Sequence, residues 1–321
     1  MPSLSLVVCV HEERDLFGRL LREAAGHCDD LVVVHDGPDS NNRAALPPVD
    51  QPAKEMALDY GALAPDAPLP TFYNTPPLPA RSGSIHELVM QHQGRYFEGP
   101  RCFQQEPHWP FAWWQAKHDW ILRLDADEFP SEELKSWLRR FRDSPEPTTD
   151  TSGYTCTWPL WNGTRTVTTR WPTDRIFLLH RRRVRFFGMA EQVPIPDGEF
   201  EALQLILEHR PRRKSYGFSN LLLRKQAYHW RQIIAQSLLG RPTDLQCWRW
   251  TSEQWLSIWE EIRERPLRTA FYRLIMWPLF NLREMKRVEG RVILSAVIFS
   301  GVHHCIVAVM YWRLRLMQTK A

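Results

Sequence analysis

Three segments at the start of the chain restrict its fold more than anything that follows. Leu4–Val10 is a continuous apolar run, residues 15–28 carry Leu16, Leu20, Leu21 and Ala24 at helical spacing, and residues 31–34 are again apolar and β-branched. Such a β-α-β unit implies parallel strands with a right-handed crossover, in an α/β sheet that binds ligands beyond the carboxyl ends of its strands. Polar clusters occupy both ends, His11-Glu12-Glu13 after the first strand and His35-Asp36-Gly37 after the second. Glu12 and Asp36 are therefore candidates to hydrogen-bond a nucleoside. No G-x-G-x-x-G follows the first strand, which argues against a dinucleotide-binding fold.

Residues 120–130 carry the second signal. Residues 120–124 read as a buried strand that ends in Asp125, Asp127 and Glu128. Carboxylates gather at a sheet's end only where something compensates their charge, usually a divalent cation. Asp125 and Asp127 are two apart, so at a fraying strand end they lean to one side and offer hard oxygens to Mg²⁺ or Mn²⁺. Glu128 is expected to orient or cap. Pro130 should forbid further ladder pairing, and Ser131 caps a helix with Glu132 and Glu133 in its first turn. The competing reading is a loop whose carboxylates are merely capping and solvated.

The 321 residues, 43% hydrophobic and 24% charged, suffice for a full core in one large domain or one and a half. Aromatic density is high, with 14 of the 15 Trp crowding residues 109–171 and 230–277, and core packing is its commonest cause. The net charge of +4 concentrates late, in Arg175, Arg181 to Arg183, Arg185 and residues 210–214. These cations could meet a diphosphate, although most charge runs are simply solvated. Nothing matches a nucleic-acid module. The 6 cysteines lie far apart without C-x-x-C, so neither a zinc site nor a compact disulfide framework is indicated. The N-terminus runs straight into a strand without a signal-peptide pattern, so the catalytic part is expected on the cytoplasmic side. Residues 38–110 are Pro-rich and read as a long ordered insertion with short elements, among them a helix near residues 84–92.

Strands ending in His-Glu-Glu, in Asp-Gly and in Leu124-Asp125-Ala126-Asp127-Glu128 follow in order within the first 130 residues, and together they resemble the inverting glycosyltransferases of family 2, which have the GT-A fold. His11 stands where that family usually has Asn, and His35-Asp36-Gly37-Pro38 lacks one Asp and the Ser of Asp-Asp-Gly-Ser. The resemblance implies that Glu12, Asp36 and Arg101 contact the nucleotide-sugar, that Asp125 touches ribose or metal, and that Asp127 ligates the cation on the diphosphate. It also implies a base at Glu191, in Gly188-Met189-Ala190-Glu191 where the family often has Gly-x-x-His-Glu, and a third metal ligand at His209. On the residues alone, Glu191 reads equally as an exposed loop glutamate and His209 as a surface histidine.

Beyond residues 1–215, taken as the catalytic domain, residues 216–265 read as helical and 266–321 as amphipathic and hydrophobic helices. Residues 292–312 hold no charge, enough for the ~20 residues of a membrane span. Basic residues flank both ends, however, and Ser300, His303 and His304 form a polar strip. An in-plane hairpin or a buried packing helix is the alternative. Similar tails end bacterial lipopolysaccharide-core glycosyltransferases, which suggests an envelope glycan or lipid-linked acceptor at the inner membrane. The expected activity is metal-dependent transfer from a nucleotide-diphosphate sugar. The rivals are a nucleotidyltransferase, which would want a Gly-rich basic loop after the first strand, and a non-catalytic membrane-associated binding protein.

Overall fold

The computed structural model describes residues 1–39, 73–99, 101, 105–186, 193–212, 231–232, 234–235, 238–239 and 257–318. Its centre is an eight-stranded mixed sheet formed by β1 (Leu4–Val10), β2 (Asp30–His35), β3 (Arg95–Glu98), β4 (Trp120–Arg123), β5 (Glu128–Pro130), β6 (Thr151–Thr157), β7 (Arg175–His180) and β10 (Glu199–His209). The strand order is β3-β2-β1-β4-β7-β6-β10-β5, and β8 (Val184–Arg185) with β9 (Ile195–Pro196) makes a separate ribbon. The β3, β2, β1 and β4 neighbours are all parallel, as the opening β-α-β unit requires, whereas β7 runs against both β4 and β6. This is the expected α/β architecture with helices on both faces.

Helices α1 (Arg14–Ala24), α2 (Ile85–Gln91) and α4 (Glu132–Asp143) cover one face, where Leu6, Val8 and Val10 of β1 meet Phe17, Val89 and Leu138. The other face belongs to α3 (Trp109–Gln115), whose Trp113 and Phe111 pack with Val7, Val34 and Ile121. All seven β1 positions are consequently buried, which explains why the strand reads as an unbroken apolar run rather than an alternation. Core packing accounts for Trp109, Trp113, Trp114 and Trp120. Ser131 caps α4 as expected, accepting the Leu134 amide at 3.2 Å.

Two expectations change. The Pro-rich stretch supplies a sheet strand, β3, that its composition does not reveal. Pro130 does not prevent pairing either: β5 lies at the sheet edge with Pro130 opposite Leu207, where a missing N–H is tolerated, and the next amide, Ser131, bonds Ile206 O.

The C-terminal part consists of α5 (Ser257–Glu264), α6 (Pro266–Glu289) and α7 (Leu294–Gln318). Gly290, at φ 74°, closes α6 in the left-handed conformation that favours glycine. The α6–α7 turn is fixed to the β6–β7 connection: Met285, Ala296 and Val297 pack on Leu160, Val167 and Trp171, and Glu289 accepts the amides of Thr169 and Arg170 at 2.9 and 2.8 Å.

Candidate active site

The acidic turn leaves β4 by its own backbone logic. Asp125 O accepts the Glu128 amide at 3.0 Å while the Glu128 carboxylate folds back onto the Asp125 amide at 2.9 Å. Glu128 is 0% exposed, so its charge must be matched from within. Arg175 does this, with Nη2 2.8 Å from Oε2 and Nε 2.7 Å from Oε1, and Trp158 Nε1 donates at 2.6 Å. Burial pushes the Glu128 carboxyl above its ordinary value, and Arg175 pulls back only part of that rise. The same guanidinium reaches Asp125 Oδ2 at 2.9 Å. Burial works upward on Asp125 too, but Arg175 and then Arg123 outweigh it and hold this carboxyl below its usual range.

Asp127 is organised differently. It is partly exposed, and His209 Nε2 lies 3.3 Å from its Oδ2. The pairing of β10 with β5 sets this juxtaposition by placing His209 opposite Glu128, and the Arg210 amide bonds Asp127 O at 2.8 Å. Trp158 stacks on His209 with centroids 3.8 Å apart and planes 17° from parallel. One indole thus orients both the buried glutamate and the imidazole. Neighbouring ligands of an octahedral cation with bonds of about 2.1 Å stand roughly 3.0 Å apart. The Asp127–His209 spacing of 3.3 Å is close to that. Among the described residues no group of three or more His, Cys, Asp or Glu side chains converges as a ready-made metal cage. Asp127 and His209 are thus the two side chains that could hold a cation here.

Just past β2, Asp36 is nearly buried, with Arg101 Nη1 2.6 Å from Oδ2 and His108 Nε2 3.1 Å from Oδ1. Gly37 permits this closure, since a side chain there would meet Arg101 at 3.2 Å and its φ is 86°. Asp36 and Arg101 thus form one ion-paired unit. Glu12, two residues past β1, is exposed and sits at φ 55°, in a region sparsely used by residues other than glycine. Its carboxylate lies 3.5 Å from His11 Nε2. Glu191 falls outside the described residues.

The late cations are placed otherwise than their sequence suggests. Because β7 is antiparallel to β4, Arg175 at its start lies beside the acidic turn and is spent on Glu128 and Asp125, whereas Arg181 to Arg183 follow its far end. There Arg181 and Arg182 pair with Asp119, and Arg183 donates to the Thr148 and Thr151 carbonyls. Arg210 and Arg212 pair with Glu208 and Asp15. Trp158 and the structural role of Arg175 escape a sequence reading; the available signal is that an apolar strand ending in three carboxylates needs a buried cation from elsewhere.

No family model matches the chain, and a search of curated proteins returns no match either. Among solved structures, Staphylococcus aureus TarS residues 1–349 is similar over 97% of this chain and 91% of that one, at 11% identity and a TM-score of 0.32. The same TarS fragment in complex with UDP has equal coverage, 13% identity and a TM-score of 0.34. A longer TarS chain is matched over 74% of this chain and 40% of its own length, at 11% identity and a TM-score of 0.31. At these values the functional reading rests on the geometry of the site.

Glu13 joins that geometry unforeseen. Burial, then the nearby Asp127 and Asp125, raise its carboxyl from 4.5 to about 7 against the pull of Arg212. A folded-state value above the unfolded one means that the native protein holds this proton longer. Its contribution to stability is therefore greatest below 4.5 and declines as pH rises to about 7. In the metal-free protein, Glu13→Gln should raise the melting temperature at pH 8 and change it little at pH 4.5. Thermal melts in EDTA at both pH values check this, and an equal shift at the two would refute it.

Proposed function

We propose that this chain is an inverting glycosyltransferase that moves a sugar from a nucleotide-diphosphate donor to a glycan or lipid-linked acceptor at the cytoplasmic face of a membrane, using Mg²⁺ or Mn²⁺. The observation that carries this reading is the Asp127–His209 pair at the carboxyl ends of β4 and β10, two residues from Asp125. Asp127 and His209 would hold the cation, which when bound supplies charge to offset that developing on the leaving diphosphate. Asp125, kept ionised by Arg175, would contact the ribose or the cation. Glu12 and the Asp36–Arg101 unit face the nucleoside. Glu191 is assigned the acceptor's general base, taking the hydroxyl proton as oxygen attacks the anomeric carbon from the side opposite the leaving group. The apolar character of the C-terminal helices α6 and α7 is the feature behind the membrane part of this reading.

A screen of UDP-, GDP-, CMP- and dTDP-sugars with Mn²⁺ is the direct test. One donor should be hydrolysed or transferred, with activity lost in EDTA and calorimetric nucleotide binding that depends on Mn²⁺. Binding without turnover of any donor would make the protein a nucleotide-binding module, and no metal-dependent binding at all would overturn the reading.

A further inference from the structure

The sequence directs attention to α7 as the membrane element, yet one face of α7 is packed inside the protein. Ala296, Val297, Gly301, His303, Val307, Ala308 and Tyr311 are buried at helical spacing along one face. Val307, Ala308 and Tyr311 pack with Trp259, Ile262 and Ala270, and buried His303 accepts from Arg231 Nε at 3.0 Å. A hydrogen-bonded guanidinium against that face belongs to a protein interior, not to lipid. Side chains cannot be added at Gly301 either, because a Cβ there would run into the Arg273 carbonyl and Pro278 of α6.

Helix α6 shows the complementary pattern. Between Leu267 and Phe280 nine positions are exposed, and eight are apolar or aromatic: Leu267, Phe271, Tyr272, Leu274, Ile275, Met276, Leu279 and Phe280, with Arg268 the exception. Phe271 and Phe280 are 67% and 61% exposed, so a contiguous hydrophobic surface faces outward, which soluble monomers rarely tolerate without a use. Charge marks the use. The exposed face continues into Arg283, Lys286 and Arg287, with Arg291 just beyond. At the other end Arg315 of α7 donates to Arg263 O, which brings Arg313 and Arg315 to the start of α6. The two acids of α6 are occupied, Glu284 by Arg287 and Glu289 by the amides of Thr169 and Arg170. The acids of α5, Glu260, Glu261 and Glu264, lie on the adjoining helix.

We propose that the exposed face of α6 rests on an anionic lipid surface, its axis in the membrane plane, with the apolar stretch in the acyl boundary and the basic ends at the headgroups. Basic clusters at both ends suit a helix lying flat, since both then meet the same leaflet. This deepens the membrane part of the proposed function by naming the element and the lipid charge, and it does not depend on the donor chemistry.

Flotation of the full-length chain with vesicles of phosphatidylcholine, with and without phosphatidylglycerol, tests it. The protein should float with the anionic vesicles, less with neutral ones, and less again at high salt. Phe271→Asp with Phe280→Asp, both at exposed positions, should weaken vesicle binding on the order of a hundredfold with an unchanged melting curve. Full binding by that variant, or no binding by wild type to anionic vesicles, overturns the proposal. So does a dimer in gel filtration that the same two substitutions dissolve while vesicles bind neither form, since a second copy would then be the occupant. Calorimetry of Mn²⁺ and nucleotide on the same variant separates the two readings: vesicle binding can fail while nucleotide binding persists, and the reverse.

Discussion

Asp127→Asn is expected to lower Mn²⁺-dependent donor turnover roughly a thousandfold or more while leaving the fold intact. The substitution keeps size and removes one charge at a partly exposed position whose side-chain ion-pair partner is His209. His209→Ala should weaken cation binding in the same direction and also leave Trp158 without its stacking partner. Asp125→Asn should be damaging but less complete for turnover, because Arg175 keeps a second anion, Glu128, in reach. Calorimetric Mn²⁺ titration beside the activity assay separates ligand loss from misfolding. Equal turnover in wild type and Asp127→Asn with every donor would show that the acidic turn is structural.

The second large effect falls on stability. Arg175→Met should cost about 3–5 kcal/mol, since it leaves the buried Glu128 carboxylate without its cation and releases Asp125 as well. Glu128→Gln alone should also be costly, through the lost charge pairing, but the double variant should recover part of the loss because no uncompensated charge stays buried. That non-additivity identifies the pair. Urea denaturation of the three variants reads it, and a cost below about 1 kcal/mol for Arg175→Met would mean that water reaches Glu128 on removal of the guanidinium. Glu128, which in the sequence looks the least important of the three carboxylates, is thus the one on which the shape of the turn depends.

What was legible in the chain was local. Leu4–Val10 reads as a strand with the bounds the structure has, because burial on both faces leaves an uninterrupted apolar signature. Ser131 announced α4 through a cap that involves only its own first turn. Asp127 and His209 were candidates for one site from the family resemblance, and the β10–β5 pairing does bring them together. The misplacements all depend on direction or distance. Arg181 to Arg183 look like phosphate ligands until β7 proves antiparallel and carries them to the opposite end of the sheet. Asp36 looks available until His108 and Arg101 arrive from far along the chain. Three-residue β5 has no periodicity to read, and the apolar count that singles out residues 292–312 cannot tell which face of a helix is already covered.

The position of β10 also sets the order in which the protein becomes competent. The acidic turn is synthesised well before His209, and it is β10 that pairs with both β6 and β5 to close the far side of the sheet. A chain still lacking that strand has an open β6 edge and an acidic turn without its imidazole, and the long loop closure makes this pairing intrinsically slow. The Asp127–His209 pair therefore forms only once the chain includes β10, and a ribosome-bound or clipped fragment ending before residue 199 would carry the carboxylates without the imidazole.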